Sequence, residues 1–349
     1  MPTFRNFPYH INAVGGITGM NNVGGATYYV GASGYLAALG GIAPSDSNKG
    51  TSPQSPFATI QKGLDSCTAG RGDIVAVLPG SYTITAALTM TKDDVSLISA
   101  LPVGPREYPP VTIVCATDVS EVEVNANNIT IAGIRFDDNV TAATASTAVI
   151  DVNTASTATD YSGFKAINCW LDMAGMTDSD KDGITLGTDA DDGALSSLVE
   201  GCTIIEAGRD GIVVNVGSEF TEIRNCKIYD ATDTTDNGIE VLATSVTVDN
   251  CDILVSGTAC VHNGVAAARL VVDDCRLHAW GANTIGILAI NTATQRTSGN
   301  WVTATAAGNL IDYTTDNTTP SADAFISNIF AANAGITVMG ETTVGGADA

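Results

Sequence analysis

Basic residues are scarce in this chain. Fifteen Lys and Arg stand against 38 Asp and Glu, for a net charge of −23. Duplex binding needs clustered cations to meet phosphates, so no nucleic-acid partner is expected. Aromatic residues are few as well, at 6% of the chain. Trp170, Trp280 and Trp301 sit on or near separate repeat motifs, so no sugar-stacking platform is expected. No apolar run is long enough to cross a bilayer, and no membrane partner is expected. The opening "MPTFRNFPYHINAVGG" has no run long enough for a secretory signal. Eight cysteines contain no CxxC pair, which argues against a zinc or dithiol centre. They are expected as reduced thiols of a chain made in a cytoplasm.

What is present is apolar and small. Hydrophobic residues reach 44%, and Ala, Thr, Val and Gly dominate, a blend that favours strands and tight turns. The acidity suits a soluble particle surface, a high-salt habitat or a basic partner.

The chain repeats itself. "ITIAGIRF", "FKAINCWL", "SLVEGCTI", "EIRNCKI", "TVDNCDI", "VVDDCRL", "TSGNWVT" and "FISNIFA" align on one slot. The residue before the slot is Gly133, Asn168, Gly201, Asn225, Asn250, Asp274, Asn300 or Asn328, types that tolerate positive φ. The slot holds Ile134, Cys169, Cys202, Cys226, Cys251, Cys275, Trp301 or Ile329. Flanking residues alternate apolar and polar, the period of a strand. A second line, "DGITL", "DGIVV", "NGIEV", "ACVHN" and "IGILAI", recurs between the first at a similar period. Strand, sharp bend, strand and return describe one rung of an all-β solenoid, a right-handed parallel β-helix. Rungs would stack at roughly 4.8 Å. Cys169, Cys202, Cys226, Cys251 and Cys275 then form an inward structural ladder, since cysteine is a small, readily buried side chain.

Residues 48–84, "NKGTSPQSPFATIQKGLDSCTAGRGDIVAVLPGSYTI", carry a specific signature. Gly50, Thr51, Pro56, Phe57, Thr59, Ile60 and Gln61 match a "GTS…PF.TIQ.A" segment. Gly72, Asp73, Val75, Val77, Pro79, Gly80 and Tyr82 match "GD.V.V.PG.Y". The stretch resembles the opening of the pectate-lyase-like right-handed β-helix superfamily. With the repeats, that resemblance covers roughly residues 27–335 and implies the fold. It leaves the activity open, because the superfamily holds lyases, hydrolases, esterases, phage tailspikes and non-catalytic virion proteins. Ser55-Pro56 predicts the start of a short capping helix over about 56–67, with Phe57, Ile60 and Leu64 on one face. Residues 26–30 should form a strand entering the same cap. The expected organisation is an N-terminal arm over 1–25, a β-helix over 26–340 and a tail over 341–349. The Gly- and Asn-rich arm offers Phe4, Phe7, Tyr9 and Ile11 as apolar docking anchors.

Candidate chemistry is thin. The resemblance implies a carboxylate cluster with a basic residue, or paired aspartates, and in the sugar hydrolases NTDG, GHG and RIK motifs; none of these three occurs. Asp178, Asp180, Asp182 and Asp189 have the spacing of a calcium loop, although the repeat requires strand from residue 182. They are read as an acidic turn holding at most an adventitious calcium, with no cofactor expected. Thr185, Val213, Glu240, His262 and Leu288 take equivalent outward positions, so Glu240 and His262 should meet as the one acid–base pair. Glu206, Asp210, Asp230, Asp233 and Asp236 fall at turns around two rungs, where inverting glycosidases would need spaced carboxyls. The sequence reading is therefore a β-helix of the virion surface that decorates a phage capsid or tail. Its partners would be the major capsid or tail proteins. Resemblance to virion β-helix proteins implies a homotrimer, with surface glycans as a further partner. The alternative is a tailspike-type polysaccharide depolymerase or lyase.

Overall fold

The computed structural model describes residues 24–33, 42–138, 148–153, 159–174, 181–188, 192–229, 237–264, 269–280, 284–290, 296–304, 311–314, 325–326 and 329–332. The expected docking residues Phe4, Phe7, Tyr9 and Ile11 lie outside them, as do the arm and the tail.

Strands stack into three long sheets of eleven, ten and nine members. One turn of the coil runs Glu222–Arg224 in the first sheet, Lys227–Tyr229 in the second and Asn237–Val241 in the third. Val246–Asp249 then opens the next turn, pairing in parallel with Glu222–Arg224. Inward side chains merge into one apolar core that runs from Val30 at the cap to Val302.

A single residue makes the bend from first to second sheet. Its φ is +66° at Gly133, +53° at Asn168, +65° at Gly201, +56° at Asn225, +49° at Asn250 and +52° at Asp274. The following residue turns inward, and Cys169, Cys202, Cys226, Cys251 and Cys275 are all buried and free of disulfides. Each thiol reaches a backbone carbonyl one rung back, as Cys226 does at Val199 (3.5 Å) and Cys251 at Ile223 (3.7 Å). Burial pushes the Cys202 and Cys226 thiols well up, so they stay protonated. Cysteine suits the slot because it is small, apolar and carries a weak donor for that carbonyl.

The rung of Asn300 corrects the slot by one residue. Trp301 pairs in register with Arg276, which places Asn300 opposite Cys275 and gives the bend to Gly299 (φ +69°). Asn300 is fully buried and does the thiol's work more strongly. It accepts from the Cys275 N–H (2.8 Å) and donates to the Val272 carbonyl (2.7 Å). Trp301 consequently points out, and Ile329 is its register partner one rung on.

Entry to the third sheet depends on close approach. A Cβ at Gly183, Gly211 or Gly238 would lie 2.4–2.6 Å from a carbonyl of the next rung. Glycine therefore follows Asp182, Asp210 and Asn237 in the second repeated line.

The helical cap is shorter than expected. It spans Ile60–Ser66, with Thr59 as N-cap accepting from the Lys62 N–H. Pro56 does not open it, because Phe57 bridges Val30 in extended geometry and the Asp46 carboxylate binds the N–H groups of Ala58 and Thr59. Strand Thr27–Val30 enters the same cap and pairs with Ile74–Val77. Asp73, fully buried, binds the N–H groups of Ala26 and Thr68 and the Arg71 guanidinium, which locks strand to cap.

Candidate functional site

Outward side chains of the third sheet form one column along the axis. Register pairs Glu123 with Asp151, Asp151 with Thr185, Thr185 with Val213, Val213 with Glu240, Glu240 with His262, and His262 with Leu288. Like charges directly opposite repel, and the chain relieves them in two ways. Asp151 holds its proton: burial first, then the Glu123 and Asp182 charges, push its carboxyl up to about 7. Glu240 instead gains a partner, since His262 Nδ1 lies 2.5 Å from its Oε2. Asn237 Nδ2 donates to that same oxygen at 2.8 Å.

Beside this column runs a second, made by the residues that precede the entry glycines. Asp210 N–H donates to Asp182 Oδ1 (3.1 Å), and Asn237 N–H donates to Asp210 Oδ1 (2.7 Å). Each side chain thus closes a backbone donor of the next rung. Arg209 forks both oxygens of Asp182 through Nε (2.7 Å) and Nη2, and Thr185 Oγ1 adds a donor to Oδ2 (3.0 Å). Asp210 is left with the weaker share, 3.8 Å from Arg209 Nε. Burial, then the Asp182 charge, push it up to about 7.

Of the weak metal candidates only Asp182 lies among the described residues. Its two oxygens accept from four donors, two of them on the Arg209 guanidinium, which fills its lone pairs. Asp178, Asp180 and Asp189 lie outside the described residues, as do Asp230, Asp233 and Asp236. Glu240 and His262 do meet, and their side chains keep only 12% and 16% exposure. Sequence reasoning missed Glu123, Asp151 and Arg209. The cue for Asp151 was its place in an apolar stretch, "AVIDV", one rung before "DGITL".

The outer face of the second sheet is different. Its main column reads Arg135, Trp170, Thr203, Lys227, Asp252, Arg276 and Trp301. The three tryptophans, expected to be scattered, therefore share one face, since Trp280 follows Arg276 and His278 at strand alternation. Trp280 is 63% exposed and Trp301 46%. Trp170 and Trp301 stand five rungs apart, roughly 24 Å at the spacing of paired strands. Tyr108 joins Trp170 edge-on at 5.3 Å, and the Arg135 guanidinium lies over the Tyr108 ring at 4.7 Å. Lys227 caps the Tyr229 ring in the middle of the face.

A loop over 100–110 delivers Tyr108 to this face by crossing the bend column. Asn168 Nδ2 donates to the Val103 carbonyl (2.8 Å), and Arg106 Nε donates to the Asn225 carbonyl (2.9 Å). The asparagine and glycine bends thus double as a docking strip for the loop. On this face Arg135 bridges Asp172 and Asp137, and His278 Nε2 lies 3.7 Å from Asp252.

A family model described as a right-handed β-helix region matches residues 176–344. Among solved structures the chain is similar to pectate lyase Pel9A, at TM-score 0.57 and 13% identity, covering 91% of this chain and 82% of that one. The fold is a right-handed parallel β-helix. ORF18 of Geobacillus virus E2 resembles this β-helix at TM-score 0.47 and 14% identity, over 78% of this chain and 57% of that one. The A-module of the Azotobacter vinelandii mannuronan C-5 epimerase AlgE4 does so at 0.43 and 15%, over 87% and 96%. At these identities the likeness is one of fold. No curated protein gives a significant match.

Proposed function

We propose that this β-helix is a structural protein of a virus particle that holds a polysaccharide along the outer face of its second sheet. The observation that carries the glycan part is the alignment of exposed aromatics at both ends of one straight face. Tyr108, packed edge-on against the half-buried Trp170, marks one end, and Trp280 and Trp301 the other. Aromatic faces stack on the apolar faces of sugar rings, and their N–H and O–H edges serve sugar hydroxyls. Arg135, Lys227 and Arg276 balance Asp137, Asp172 and Asp252 there, in a chain whose net charge is −23. A sugar bearing carboxylates therefore meets less repulsion on this face than the overall charge implies.

The particle part rests on the arm over 1–25 and on resemblance to virion β-helix proteins, as does assembly into a homotrimer at the virion surface on capsid or tail proteins. Two measurements test the reading. Purified protein is titrated with host capsule or lipopolysaccharide; saturable binding that falls about tenfold in Trp301→Ala supports the face, and no binding removes it. Deleting residues 1–25 should leave the β-helix folded and abolish co-sedimentation with particles. Undiminished co-sedimentation would sink the docking role.

A second reading has one specific observation behind it. Asp151 and Asp210, each pushed up to about 7, hold protons near neutrality as a general acid must. Cleavage of the polysaccharide that is lost in Asp151→Asn or Asp210→Asn would make the protein a depolymerase acting on the third sheet. Binding without shortened chains keeps the structural reading.

A further inference from the structure

Three ionisable side chains meet inside the solenoid, away from both outer faces. Glu121 precedes the third-sheet strand Val122–Val124, Asp138 ends the second-sheet strand Arg135–Asp138, and Lys181 precedes the third-sheet strand Asp182–Leu186. Their side chains are 0%, 1% and 1% exposed. Lys181 Nζ donates to the Val119 carbonyl (2.8 Å), to Glu121 Oε1 (3.3 Å) and to Asp138 Oδ2. The Glu121 and Asp138 carboxyls are also hydrogen-bonded to each other, and burial pushes Glu121 far above the usual carboxylate range. Burial works against the Lys181 charge, and the two carboxyls outweigh it and hold its amine up. Glu121 therefore carries the proton that makes the triad neutral as Lys⁺, Asp⁻ and GluH.

Nothing in the acid ladders or the aromatic face uses this triad. As an ion pair it adds little to stability, because desolvation of both charges offsets their attraction. Its geometry fits a different end. An amine touches one carboxyl, a second, protonated carboxyl touches the same group, and bulk water is excluded.

We propose that Lys181 and Asp138 condense into an intramolecular isopeptide bond, with Glu121 as the proton carrier. Inside a dry pocket the ammonium–carboxylate pair and the neutral amine–acid pair are close in energy. The Lys181 ammonium first passes a proton to the Asp138 carboxylate. Its free Nζ then attacks Asp138 Cγ, forming the N–C bond. Glu121 gives its proton to the departing Asp138 oxygen and takes one from the new amide nitrogen. The Cγ–O bond breaks and one water leaves. Ammonium and carboxylate become amide and water, Glu121 returns protonated, and no oxidant or co-reactant is consumed. The product replaces two buried charges with one neutral amide and ties positions 43 residues apart. Such a tie restricts the unfolded chain as any cross-link of distant residues does.

The full chain is tested by denatured intact-mass measurement after purification and incubation at neutral pH. The expected mass is lower than the sequence mass by one water, and protease digestion should release a branched peptide joining the Lys181 and Asp138 segments. Glu121→Gln, which keeps shape, should return the full sequence mass, and Lys181→Arg should do the same. Wild-type protein at its full sequence mass overturns the proposal without reliance on any variant. A water loss that maps to a linear peptide, from a dehydrated aspartate, overturns it too. Linkage persisting in Glu121→Gln overturns the carrier role of Glu121.

Discussion

The second and third sheets of this β-helix use their outer faces in opposite ways. On the third, Asp182, Asp210, Asn237, Glu240 and His262 are tied to one another or to backbone donors. On the second, Trp280 and Trp301 stand in water at 63% and 46% exposure. Polar groups that satisfy one another are already committed to the fold, and their loss is felt there. Exposed rings have apolar area still to bury, and their loss is felt only by a partner. The carboxylates most suggestive of chemistry are thus the ones most engaged in structure.

Mutation can break that contrast from the inside out. The largest effect is expected at the core both faces share: Cys251→Asp would put an unpaired charge beside Cys226 and Cys275 and cost at least about 4 kcal/mol. Urea denaturation measures it, and wild-type thiols should resist labelling until the protein unfolds. Next comes the third sheet. Asp182→Ala removes the main partner of Arg209 and leaves Thr185 Oγ1 and the Asp210 N–H without this acceptor, and should cost about 3 kcal/mol; a loss below about 1 kcal/mol would mean the ladder is ornamental.

The pH dependence sharpens the comparison further. Asp151 and Asp210 have folded pKa values raised to about 7, above those of the unfolded chain. Between those limits the folded state keeps protons that the unfolded state has released, so stability should rise as pH falls from 8 to 5.5. It should be lost again as pH rises through 7. The gain is about 2 kcal/mol for each of the two groups, and Asp151→Asn with Asp210→Asn should flatten it. The smallest stability effect belongs to the second sheet: Trp280→Ala and Trp301→Ala should each stay within about 0.5 kcal/mol of wild type. A larger melting shift there would show that the rings pack rather than wait.

Much of this was legible beforehand, for identifiable reasons. The bend residues could be recognised because αL geometry admits few side chains, and Asn168, Asn225, Asn250 and Asp274 all adopt it. Glu240 meeting His262 followed from counting along "NGIEV" and "ACVHN". Reading Trp301 as the slot residue failed because Asn300 can serve either as a bend or as a buried donor and acceptor. Only the rung below, through the Cys275 N–H and the Val272 carbonyl, chose between them. The capping helix began late because Asp46, thirteen residues before Thr59, held the preceding turn extended.

By itself the sequence determined the solenoid, its bend residues and the inward cysteines. Those depend on alternation and on φ preferences that act over a few residues. Outside the evenly spaced stretch that pairs Glu240 with His262, which outward side chains meet was decided only by the stacking of rungs of unequal length. That stacking set Asp151 beside Glu123, carried Trp170 and Trp301 into one column, and enclosed Lys181 with Asp138 and Glu121. In a parallel coil the neighbour in space lies a whole turn away along the chain, so no local pattern encodes it and only the register of the finished sheets does.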